Sequence, residues 1–235
     1  MHVRLLCATL VAAAACAAAA SAQRETFDLV IINARIVDGT GAPARAGSLG
    51  IRKGLIARIG GVTAAQGARV IDARGEVVAP GFVDVHTHAD DLAERPDAAN
   101  FIRMGVTTIV AGNCGSSALD LGEALQAITD AGPAVNYATL IGHNTVRSAV
   151  MGRAQRAPTV VELQRMKSLV FKGMAEGAVG FSTGLQYIPG TYSTAHEVIE
   201  LARVAANEGG VGHQSLYLRH FLEGTFRETP RALDR

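Results

Sequence analysis

Two rhythms of apolar and polar positions divide the chain. From Phe27 to Asp72 the apolar runs are short and closely spaced, at 27–39, 48–52, 56–59 and 70–72, with glycine or polar turn residues between them. That pattern predicts a small β domain, and the first run is read as two strands broken at Asn33-Ala34. Its boundary is expected at Ala79-Pro80-Gly81, where proline and glycine punctuate the chain.

From Phe82 onward, continuous apolar runs alternate with stretches of helical period. Strands are predicted at 82–85, 107–111, 135–141, 177–182 and 210–218, and helices at 97–104, 119–131, 160–176 and 195–208. In the last helix Val198, Leu201, Ala202 and Ala205 recur on one face, Thr194 is placed to cap the start and Gly209 to end it. Apolar strands alternating with helices mean a parallel sheet covered on both faces, either a barrel or a doubly wound sheet.

The polar residues favour the barrel. His86 and His88 close the first of these strands, Cys114 the second, His143 the third and Thr183-Gly184 the fourth. A (β/α)8 barrel gathers its chemistry at the carboxyl ends of successive strands, whereas an open sheet gathers it at one switch point.

Side chains on a strand repeat every second residue, so His86 and His88 share one side and suit a common cation. Asp84 shares their parity and is placed to support them or to act directly. Cysteine usage sharpens this reading. Of the three cysteines, Cys7 and Cys16 lie in a stretch with a basic Arg4, an apolar run over 5–20 and a small-residue site at Ala20-Ser21-Ala22. This is the pattern of an export signal cleaved before Gln23; an uncleaved anchor and lipid attachment at Cys16 are the rivals. Once the stretch is removed, Cys114 has no cysteine partner. An oxidising compartment then leaves it two roles, inert core residue or metal ligand, and its setting among Gly112, Asn113, Gly115 and Ser116 favours the ligand.

Overall composition adds little beyond class. The 235 residues carry a net charge of +1, with no basic patch to suggest nucleic acid, no acidic tail and no internal repeat. No stable membrane association is expected after signal cleavage, and oligomeric state is left open.

These residues resemble the amidohydrolase superfamily, and within it the N-acyl-D-amino-acid deacylases, or D-aminoacylases. The resemblance runs through 31–39, Pro80 to His88, Asn113-Cys114-Gly115, Gly142-His143-Asn144-Thr145-Val146-Arg147, and Gly180 to Tyr192. The Pro-Gly-x-x-Asp-x-His-x-His core is common to many amidohydrolases. The cysteine after Asn113 and Gly-Phe-Ser-Thr-Gly-Leu-Gln-Tyr mark the deacylase branch.

The resemblance implies an α/β fold: a small N-terminal β domain (23–80, after a signal over 1–22) and part of a metal-dependent (β/α)8 barrel (81–235). It implies a zinc-dependent hydrolase of the amide bond in N-acyl-D-amino acids, with His86, His88 and Cys114 on the metal. Tyr187 is placed near the substrate, or else as an aromatic shielding the rim; His143 lines the pocket or satisfies a loop. The alternatives are an amidohydrolase acting on cyclic amides or peptides, and a catalytically inactive metal-binding fragment.

Two departures from the family pattern are visible. At the fifth strand, aligning Arg219 with the family's His-x-Arg puts Tyr217 at the ligand position, with His213 and His220 as displaced candidates. From Gly81 onward there is room for about five β/α units, against ~250 residues for a whole barrel, so an amino-terminal portion is expected. The family's remaining ligands and its catalytic aspartate would lie on later strands, leaving the catalytic acid–base group unassigned.

Overall fold

The computed structural model describes residues 25–214, which fall into two compact units that meet in sequence at Pro80/Gly81. The first unit is a sheet of five strands. β1 (Phe27–Ile36) pairs antiparallel with β2 (Arg45–Arg52), and β2 pairs antiparallel with β3 (Leu55–Ile59). On its other side β1 pairs parallel with β4 (Gly67–Asp72) and, further along, with β5 (Val77–Val78).

The predicted break at Asn33-Ala34 is a bulge inside one continuous strand. The β1–β2 register shifts between Ile31 and Ala34, and Asn33 takes φ 54°. Asparagine tolerates that conformation, and a bulge bends a strand without ending it. The Asn33 side chain donates to Asp72 Oδ1 at 2.9 Å, fixing the bend against β4. Phe27, Val30 and Val62 form one small core here, and Ala34, Ile36, Leu49 and Ala73 another.

The second unit contains β6 (Phe82–Asp84), α1 (Ala99–Ile102), β7 (Val106–Ala111), α2 (Leu121–Ala131), β8 (Asn136–Thr139) and β9 (Ile141–Gly142). It continues through α3 (His143–Met151), α4 (Val160–Ala175), β10 (Gly180–Thr183), α5 (Ala195–Asn207) and β11 (Val211–Gln214). Every strand pair is parallel, and the order follows the chain: β6–β7–β8 and β9–β10–β11. β8 and β9 are two parts of one run joined at Leu140, whose N–H reaches Ala111 O on β7, while Thr139 O accepts from Val179. Sequential parallel order with no reversal is the arrangement of a barrel wall, not of an open sheet with a switch point.

Helix boundaries follow their caps. Asp120 accepts from Glu123 N, Thr159 and Glu162 form a reciprocal capping box, and Thr194 accepts from Glu197 N at 3.3 Å. α2 stops at Gly132 (φ 63°), and Gly209 (φ 80°) follows α5. The core between helices and strands holds Ile141, Val146, Met166, Val170, Phe181 and Leu201, all essentially inaccessible. α1 is shorter than the pattern predicts, because Ala98 and Gly105 both take positive φ and close it at either side. α3 was not predicted at all.

Residues 1–22, read above as an export signal, lie outside the described residues, as do Tyr217 and His220. His213 lies on β11, its backbone in register with Ser182. No helix among the described residues is long and apolar enough to cross a membrane.

Candidate metal centre

The histidine segment begins where β6 ends. Asp84 Oδ1 accepts from His86 N–H at 3.1 Å, so Asp84 supports the backbone of His86. Thr87 is drawn toward β7, since both its N–H and its hydroxyl donate to Val110 O at 3.0 Å. Alternation along an extended chain then sends His86 and His88 the other way. Their rings stand 5.6 Å apart between centroids, 69° from coplanar.

Cys114 approaches from the turn after β7. Gly112, Cys114 and Gly115 all take positive φ (73°, 55° and 78°), which folds the chain back sharply and presents the thiol. Gly112 has to be glycine, because a Cβ there would sit 2.2 Å from Leu140 O. The result is a sulfur 3.5 Å from His86 Nε2. The donor atoms of His86, His88 and Cys114 all lie within 4.8 Å of one another.

The chemistry of this set can be tested against an ion. With Zn–S of about 2.3 Å and Zn–N of about 2.0–2.1 Å at a tetrahedral angle, sulfur and nitrogen should lie roughly 3.5 Å apart. The His86–Cys114 separation meets that distance, and two imidazoles with a thiolate are donors that zinc favours. Cys114 is buried while His86 and His88 are exposed, so within these residues one side of the site faces outward.

Residues 69–215 match the model of the amidohydrolase family. This chain belongs to the amidohydrolase family. It is 38% identical to the D-aminoacylase of Alcaligenes xylosoxydans xylosoxydans over 211 residues, covering 80% of this chain and 44% of that protein. Among solved structures it superimposes on a D-aminoacylase studied for its binuclear metal centre, with a TM-score of 0.78 and 37% identity, covering 86% of this chain and 48% of that one. It also superimposes on the N-acyl-D-glutamate deacylase of Bordetella bronchiseptica complexed with zinc and a phosphonate inhibitor, with a TM-score of 0.76 and 40% identity, covering 81% and 45%. This amidohydrolase therefore spans about half the length of the relatives it matches.

The other candidates are placed differently. Tyr187, half-exposed, follows β10 and donates its N–H to Gly184 O at 3.0 Å. A Cβ on Gly184 would be 1.9 Å from Cys114 O and 3.0 Å from the Tyr187 ring, so the tyrosine stands beside the backbone that packs on the cysteine turn. His143 is not drawn to the cluster. It is fully buried, with Nε2 2.9 Å from Glu197 Oε1 and its ring 6.0 Å from that of Phe181.

Around His143 the amidohydrolase holds a buried charge network that sequence reasoning passed over. Arg147 donates Nη1 to Glu197 Oε2 and Nη2 to the carbonyls of Ala154 (3.2 Å) and Arg156 (2.7 Å). Burial raises the Glu197 pKa, but the hydrogen bonds and charges of His143 and Arg147 outweigh it, and the carboxyl ends below its ordinary value. Asp90 was also missed. Burial raises its pKa against the opposing hydrogen bond from Gly112 N–H, and together with burial it lifts Tyr137 to about 12.

Proposed function

We propose that this chain carries the metal site of an exported zinc-dependent hydrolase that cleaves the amide bond of N-acyl-D-amino acids. The observation that carries the reading is the convergence of one thiol and two imidazoles at adjacent barrel strand ends, with the sulfur–nitrogen edge that zinc requires. The named deacylases among its relatives supply the substrate class. Residues 1–22 would serve as signal, 23–80 as the β domain and 81–235 as barrel.

In this reading His86, His88 and Cys114 hold the metal. Zinc bound there supplies Lewis acidity, lowering the pKa of its water to about 7 and polarising an amide carbonyl. Tyr187, half-exposed beside the cysteine turn, offers a hydroxyl donor to the substrate carboxylate. The test is zinc-dependent release of free D-amino acid from its N-acyl derivative by the intact gene product, with the L-enantiomer as control. Turnover that survives both zinc chelation and Cys114→Ser, or that ignores configuration, would refute the reading.

A further inference from the structure

We propose that Asn113 and Ser182 are positioning residues that hold the Cys114 thiol in register with the imidazoles of His86 and His88, an inference that rests on the metal reading above. The ligands come from two chain segments. The parallel ladder between those segments ends at Asp84↔Ile109, before either segment reaches its ligands. Past that point Thr87 donates twice to Val110 O, Gly112 N–H donates to Asp90 Oδ1, and the Asn113 carboxamide adds the bond that reaches the backbone between the two histidines. Asn113 is fully buried, and its Nδ2 donates to Val110 O at 2.8 Å and to Thr87 O, between the two histidines, at 3.2 Å. Flipping the amide would set its oxygen against two carbonyl oxygens, so its orientation is determined.

Ser182 fixes the turn itself. Its buried hydroxyl donates to Gly112 O at 2.5 Å and accepts from Gly115 N–H at 3.0 Å, closing the four-residue turn from both ends. Cys114 sits inside that closure at φ 55°, a conformation that a residue with a Cβ adopts only when its surroundings over-determine it. Without the hydroxyl, two backbone groups lose their partner and Cys114 is free to relax, carrying Sγ away from His86. Val110 O keeps two other donors from Thr87. Replacing Asn113 by an apolar residue of similar size therefore removes chiefly the bond to the histidine segment.

Cobalt(II) titration of the metal-stripped full chain, read by the thiolate-to-cobalt charge-transfer band, tests this, with thermal unfolding of the metal-free protein measured in parallel. Asn113→Leu and Ser182→Ala are expected to weaken cobalt binding roughly 10–100-fold and to dim the band. Ser182→Thr, which keeps the hydroxyl, should bind as the parent does. Parent-like affinity and band in both Asn113→Leu and Ser182→Ala would overturn the proposal. So would an equal loss in Ser182→Thr and Ser182→Ala, which would point to packing; this pair decides the matter if Asn113→Leu fails to fold. A parent protein with no Cys114-dependent band refutes the metal reading itself, and the positioning proposal falls with it.

Discussion

Glu197→Gln offers the most direct test of how this barrel segment is held together. Glu197 and Arg147 are both fully buried, and the glutamate ties α5 to Arg147 and His143 on α3. Glutamine is nearly isosteric, so the change removes a charge with little loss of packing and leaves the Arg147 guanidinium buried without its counter-ion. Breaking a buried pair by removing one partner costs about 3–5 kcal/mol. At about 2–4 °C per kcal/mol for a domain of this size, the thermal midpoint should fall by roughly 6–20 °C. The pH dependence has a definite sign. Because the folded pKa of Glu197 is depressed, its contribution is complete above 4.5, the ordinary glutamate value, and is lost as pH falls through the lower folded value. Part of the acid destabilisation of the parent should therefore be missing from Glu197→Gln. The assay is urea and thermal unfolding of Glu197→Gln, Arg147→Met and the double variant, followed by circular dichroism. The double variant should lose less than the two singles added together, by about 2 kcal/mol, because removing both charges leaves neither stranded. A loss below about 1 kcal/mol for Glu197→Gln, or simple additivity, would show that the network contributes no coupling.

Three other outcomes are expected. Gly184→Ala puts a Cβ 1.9 Å from Cys114 O, so it should cost about 1–3 kcal/mol and also weaken metal binding, as a zinc titration against the parent would show. Thr159→Ala removes the cap of α4 and should lower stability by about 1 kcal/mol by urea denaturation, without altering metal affinity. Amino-terminal sequencing of the protein recovered from an exporting host should begin at Gln23; an intact Met1 in the membrane fraction would support an anchor instead.

By itself the sequence determined the features that depend on local spacing. Apolar runs of strand length, and helical periods with Thr194 or Gly209 at their ends, are local patterns, and most of the strands and helices they predict are present, with ends shifted by a few residues. The candidate metal trio was legible for the same reason, since strand ends in a parallel α/β unit converge whatever lies between them. The helix His143–Met151 was not legible, because its buried residues His143, Asn144 and Arg147 interrupt the apolar Val146 on the same face. His143 and Arg147 are buried against Glu197, some fifty residues further on, which hydrogen-bonds both and pairs with the arginine, while the Asn144 amide donates to Gly184 O. Likewise nothing local marks Ser182, whose hydroxyl reaches a turn nearly seventy residues away in the chain. Spacing shows which side chains share a face. Which polar groups find partners, and therefore which can be buried, depends on long-range contacts that only the folded chain creates.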